Sequence, residues 1–130
     1  MNKTIDIHER LLKFSIRIIS LCKILSKNLD NRVIADQLLR AGTSVGANMQ
    51  EADAAASRKD FIHKVNIAKK EIQETNYWLK LVNGANLLNN PNNLQEFNEL
   101  FKESEELTKI ISAILFNTLR ANVASSRSSK

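Results

Sequence analysis

Apolar residues recur every three or four positions along four stretches of this chain, the spacing that draws one stripe down an α-helix. The first stretch predicts a helix from Thr4 to Lys27 with Ile7, Leu11, Phe14, Ile18, Cys22 and Leu25 inward. Asn28-Leu29-Asp30-Asn31 is a polar break rich in cap-type residues. A second helix from Arg32 to Ala56 follows, its stripe being Ile34, Leu38, Ala41, Val45, Met49, Ala52 and Ala56. Many of these side chains are small, so a neighbouring helix can approach closely. Ser57-Arg58-Lys59-Asp60 has the form of a capping box with Asp in the fourth place and opens a third helix, Arg58 to Val82. Its inward residues are Phe61, Val65, Ala68, Ile72, Leu79 and Val82, and Asn83-Gly84 reads as its stop. After an Asn-rich loop, Pro91 suits the first turn of a fourth helix, Asn92 to Asn122, with Phe97, Leu100, Leu107, Ile111, Leu115 and Thr118 inward.

Helices of about 25 residues are each roughly 38 Å long. Matched lengths, short connections and one stripe per helix predict an all-α, antiparallel up-down-up-down four-helix bundle over residues 1–122, with 123–130 a frayed basic tail. Composition agrees. With 43% hydrophobic and 25% charged residues the 130-residue chain reads as one globular domain, and three Gly with one Pro are too few for an all-β fold. Cys22 has no second cysteine to pair with and reads as a small core residue. The first residues lack an apolar leader, and Arg17 and Lys23 interrupt the most apolar run, so the expectation is a cytoplasmic protein with no membrane partner.

The apolar surface exceeds what one bundle needs. Ile67, Trp78 and Leu81 fall well away from the main stripe of helix three, and Leu12, Ile16 and Ile19 form a second group on helix one. Soluble monomers avoid patches of this kind, so these six residues are expected to form a homo-oligomer interface anchored by Trp78.

No catalytic constellation is legible, and none is expected. A carboxylate-bridged metal site in a bundle requires Glu-x-x-His pairs, and neither His8 nor His63 lies three residues after a Glu. No glycine-rich loop offers to cradle phosphate. The reading is therefore a non-enzymatic chain with no cofactor and no metal. Ser44, Asn48 and Glu51, at i, i+4 and i+7 beside the stripe of helix two, are expected to form a structural polar network with Glu74.

Nineteen Lys+Arg against fourteen Asp+Glu give a net charge of +5, and the excess lies in residues 1–80. Arg10, Lys13 and Arg17 share a flank of helix one, and Lys59, Lys69 and Lys70 lie on the outer side of helix three. Such stripes suit phosphates without reading base sequence. The fourth helix, with Glu96, Glu99, Glu103, Glu105 and Glu106, is expected to repel them. Two readings follow: a module binding nucleic acid or a nucleic-acid enzyme through helices one and three, or a protein-interaction scaffold whose charge confers solubility.

Three segments also resemble a known bacterial family: Arg40-Ala-Gly-Thr-Ser-Val-Gly-Ala-Asn-Met-Gln-Glu-Ala52, Ser57-Arg-Lys-Asp-Phe-Ile-His-Lys64 and Ile67-Ala-Lys-Lys-Glu-Ile-Gln-Glu-Thr-Asn-Tyr-Trp-Leu79. They look like the small four-helix bundles encoded in intervening sequences of 23S ribosomal RNA genes, often labelled ribosomal-protein-like. The family pattern Ser-x-x-x-Asn-Ile-Ala-Glu-Gly is matched at Ser44, Asn48 and Glu51, with Met49, Gln50 and Ala52 departing from it. A relative with a similar fold, the accessory variability protein of diversity-generating retroelements, forms a basic ring of five. The resemblance thus implies a homopentamer, with nucleic acid or a reverse transcriptase as its class of partner.

Overall fold

The computed structural model describes residues 6–128, with side chains for 6–121. Four α-helices follow in order: α1 (Ile7–Leu25), α2 (Arg32–Asp53), α3 (Arg58–Gly84) and α4 (Leu94–Ser128). Two single 3₁₀ turns, Leu29–Asn31 and Pro91–Asn93, precede α2 and α4. Each helix packs on its neighbours in chain order, and α4 closes back on α1. Side-chain pairs fix the directions. Cys22 meets the carbonyl of Ala35 and His8 meets Asp53 across α1 and α2. Arg40 meets Glu71 and Lys64 meets Glu51 across α2 and α3. Arg10 meets Glu103 and Arg17 meets Glu96 across α1 and α4. Within each pair of helices one residue number rises as the other falls, so the neighbours run antiparallel.

The core is the predicted one in most positions. Leu11, Phe14, Ile18, Leu38, Val45, Val65, Ile72, Leu79, Leu107 and Ile111 are sealed from water. Ile34, Phe61 and Thr118 are half-covered instead, and Ala56 is exposed because α2 ends at Asp53. The polar Thr75 and Ser104 are fully buried, which period-counting had not marked. Each is satisfied by an α-helical backbone or a facing side chain: Thr75 donates to the Glu71 carbonyl at 2.7 Å, and Ser104 donates to Asn76. Asn76 in turn donates to Thr108 at 2.8 Å, giving α3 and α4 a polar seam.

The small residues of α2 set its distance from α1. A Cβ on Gly42 would stand 2.8 Å from Cγ2 of Ile18, which is completely buried, whereas one on Gly46 would have 3.4 Å to Leu11. Gly42 is therefore where the two backbones are closest to their limit.

Helix ends follow local chemistry. Asp6 accepts from the His8 amide at 3.0 Å, and Ser57 accepts from that of Asp60 at 3.1 Å. The stop of α3 differs from expectation. Gly84 is still helical, and the left-handed residue is Asn86 at φ 55°. Leu87 donates to the Val82 carbonyl and Asn86 to that of Asn83, both at 3.1 Å, the paired bonds of a Schellman cap with Asn in the glycine place. At the other end of the chain α4 runs to Ser128, beyond the expected boundary at Asn122. Ser129 and Lys130, part of the expected tail, lie outside the described residues.

Candidate nucleic-acid interface

A helix packed on two neighbours still turns one face to water, and that face of α3 is the most distinctive surface of the bundle. Its period brings Lys59, His63, Asn66, Lys70, Gln73, Tyr77 and Lys80 into one line, and all seven are exposed. From Lys59 to Lys80 the line rises through 21 steps of the helix, hence about 32 Å, and contains no carboxylate. Lys69 lies at its edge, half-covered. Tyr77 is 59% exposed, with its ring edge-on to Trp78 at 5.2 Å between centroids. Two of the acids of α3 are already engaged, since Glu71 and Glu74 both hold Arg40 of α2, and Asp60 lies in the first turn, its backbone N–H donating to Ser57.

The basic flank of α1 is different. Arg10 grips Glu103 through two bonds of 2.6 and 3.1 Å, and Arg17 donates to Glu96 at 3.0 Å. The acids of α4 that were expected to repel phosphate thus neutralise two of the three candidate cations on α1, and tie α1 to α4. The hydrogen bond to Glu103 holds the Arg10 guanidinium above its usual range. Lys13 remains well exposed, beside Glu9 at 3.4 Å. Of the six candidate cations, Lys59, Lys69 and Lys70 keep a common face.

The expected network of Ser44, Asn48, Glu51 and Glu74 does not form as a unit. Ser44 donates to the Arg40 carbonyl at 2.6 Å and Asn48 to that of Ser44 at 2.8 Å, because short polar side chains on a helix reach the carbonyl one turn back. Glu51 pairs with Lys64 at 3.1 Å. The organising residue is Arg40, which links Glu71 and Glu74, while Glu74 also accepts from the Trp78 indole at 2.9 Å. Arg40 opens the motif segment quoted above, but spacing gave no sign that a long side chain would cross to two acids of α3. The indole bond, with Arg40 second, holds the Glu74 carboxyl below its usual range. A carboxylate depressed in the folded state stabilises fully above its unfolded value, about 4.3, and loses that contribution as pH falls through the lower folded value. The melting temperature of the wild type should therefore exceed that of Glu74→Gln at neutral pH by a margin that shrinks steadily on acidification below about pH 4. A margin independent of pH would show that the charge on Glu74 contributes nothing.

Of the expected interface residues, Ile67, Trp78 and Leu81 are only half-exposed, and Trp78 packs against the protein's own core. The Trp78 indole, expected to anchor a subunit contact, has an apolar bed and a hydrogen-bond acceptor within its own chain and keeps part of its surface uncovered. Leu12, Ile16 and Ile19 are 63, 54 and 39% exposed. Leu12 and Ile19 border a groove of about 570 Å³ between α1 and α2, whose floor includes Thr43, Gly46 and Ala47.

Other chemistry is sparse. Burial, aided by nearby Asp36, pushes the Cys22 thiol up to about 12, so it stays protonated and donates to the Ala35 carbonyl. His63 is exposed on α3. Among the described residues no cluster of three or more His, Cys, Asp or Glu is placed to hold a metal ion, and no helix is long and apolar enough to cross a membrane.

These features define a class of small antiparallel helical bundle with an open basic face. Residues 3–113 match the family model described as 23S rRNA-intervening sequence protein, and the chain belongs to that family. It is similar to a crystal structure from Bacteroides thetaiotaomicron VPI-5482, a protein of unknown function from the S23 ribosomal protein family. The two are 37% identical with a TM-score of 0.76, over 85% of this chain and 98% of the other. Among curated proteins, none is similar enough to match.

Proposed function

We propose that this protein is a non-enzymatic, self-associating bundle that binds single-stranded nucleic acid along the outer face of α3. The observation that carries the reading is the carboxylate-free line from Lys59 to Lys80 with an exposed tyrosine within it. Lysines spaced along one rod neutralise successive phosphates and release counterions, which binds a backbone of any sequence. Tyr77 adds a ring on which a base stacks, and the amides of Asn66 and Gln73 supply further donors. Arg10 and Arg17 take no part, being held by α4. Filter binding of an RNA oligonucleotide should give affinity that falls steeply between low and moderate salt. No binding at low salt would end this reading and leave the scaffold alternative.

Self-association is proposed through α1. The knobs Leu12, Ile16 and Ile19 lie beside a groove with a glycine and an alanine in its floor, so the surface carries both parts of a helix-packing contact with a second copy. When the knobs of one copy enter the groove of the next, the contact repeats and closes into a ring if the rotation allows. Five copies is the number the family resemblance implies, and a ring would multiply the basic faces. Sedimentation should give a multiple of the chain mass, and Ile16→Glu should reduce it to one chain without lowering the melting temperature, since Ile16 is over half exposed. A wild type sedimenting as one chain would remove self-association from the reading.

A further inference from the structure

Where the 3₁₀ turn before α2 meets the loop before α4, the bundle end holds a cavity of about 330 Å³. That is within the range of small-ligand sites. Five asparagines line it: Asn28, Asn31, Asn89, Asn90 and Asn93. Its apolar side is formed by Ile24, Leu25, Leu87 and Leu88, and the only charged residue at its wall is Lys27. Two of the amides are fixed. The side-chain oxygens of Asn28 and Asn90 each accept from a backbone N–H at 3.0 Å, which leaves both NH₂ groups to donate elsewhere. Asn31 is 8% exposed and makes no cap bond. Its amide is nevertheless not sealed, because the one closed and unpaired side-chain polar atom among the described residues is Nδ1 of His8. A nearly buried amide with no side-chain partner among the described residues therefore lines the cavity.

We infer that this cavity takes a nucleobase whose edge sets a ring carbonyl beside a ring N–H, guanine or uracil, from a strand held on α3. The aliphatic wall matches the flat face of a heterocycle. Oriented NH₂ donors match its carbonyl oxygens, and the ambivalent Asn31 amide matches a donor–acceptor edge. The absence of a carboxylate at the wall and the presence of one lysine admit a ligand that carries a phosphate outside. Lys80, the last cation of the α3 line, lies four residues before Gly84, about 6 Å along the helix, and the next segment supplies Leu87 to Asn90. The neighbouring space of about 250 Å³ between α1 and α4 shares Ile24 and Asn93 with this cavity, giving room beside the base. The inference rests on the α3 reading for the source of the base, but the cavity is testable without any phosphate.

The test is a titration of the full chain with guanosine and with uridine, followed by amide chemical shifts. Saturable shifts confined to residues 28–31 and 87–93 are expected, weaker with adenosine. Asn31→Leu, which keeps the number and branching of heavy atoms and removes the donor and acceptor, should weaken binding about tenfold. The exposed Asn89→Ala should weaken it in a chain whose folding is not at risk. Absence of saturable shifts at millimolar nucleoside would overturn the inference, as would equal shifts from ribose alone or preference for adenosine. Salt-dependent oligonucleotide binding without nucleoside shifts would overturn the cavity and leave the α3 reading intact. Nucleoside shifts in a protein that fails to bind oligonucleotide would support the cavity and remove the α3 track.

Discussion

Changing Lys59, Lys70 and Lys80 together to glutamate should lower affinity for a single-stranded RNA at 50 mM salt by on the order of a thousandfold. The expectation follows from counterion release. Each neutralised phosphate contributes slightly under one unit to the slope of log affinity against log salt, so three contacts contribute roughly 2–3 units, and reversing the charge adds repulsion. These side chains are exposed on one face and engage no acid among the described residues, so the triple variant should melt at the wild-type temperature. The companion variant is Arg10→Gln with Arg17→Gln. Their guanidiniums are spent on Glu103 and Glu96, so this pair should lose stability at the α1–α4 contact while keeping most of the affinity. If the two losses simply scale with the charge removed, about three times larger on the logarithmic scale for the triple variant, binding follows net charge and the α3 face has no special part. Tyr77→Ala separates stacking from charge: it should reduce affinity by about 1–3 kcal/mol and leave the salt slope unchanged.

Placing leucine at Gly42 should destabilise the fold by about 3 kcal/mol. The first added carbon already meets Cγ2 of Ile18 at 2.8 Å and its Cγ1 at 2.9 Å. Ile18 is branched at Cβ, completely enclosed and unable to turn aside without displacing other core residues. α1 must then move off α2, loosening the contacts of Leu11 and Val45. For a chain of this size the loss corresponds to a fall in melting temperature of about 10 °C. Adding Ile18→Ala should return part of it, because the three clashing atoms are removed while the cavity cost remains. A Gly42→Leu variant as stable as the wild type, or a double variant no better than the sum of the two, would show that the helices are not in close contact there. Gly46→Ala is the internal control. Its Cβ has 3.4 Å of clearance, and helix propensity favours alanine by about 1 kcal/mol, so that variant should be neutral or more stable.

The chain's four helices and most of its core residues were legible because both are local or periodic properties. Leu11, Phe14 and Ile18, or Leu107 and Ile111, can be placed inward by counting turns, since any helix that buries one stripe must bury those. The Lys59–Lys70 face was legible for the same reason: a residue opposite the buried stripe has nowhere to go but water. The stop of α3 was half legible. Asn and Gly at 83 and 84 announced an end, yet the left-handed residue is Asn86, a choice settled by where Leu87 could reach the Val82 carbonyl.

What only the tertiary structure decided is which long or polar side chain meets which other. Arg10 and Arg17 read as free cations until α4 came to lie antiparallel to α1 and brought Glu103 and Glu96 to them. Arg40 became the centre linking Glu71, Glu74 and, through Glu74, Trp78, for the same reason. Trp78, placed outside the core by its angle on the helix, is wide enough to lean back onto that core, whereas Leu12 and Ile16 on α1 have no such cover. The asparagine-lined cavity is assembled from residues near 25–31 and 87–93, two loops adjacent only because the helices between them run up and down. Helical period is set within one turn of chain and is written in the sequence. Ion pairs, seams and cavities depend on relative helix placement, which only the packed bundle fixes.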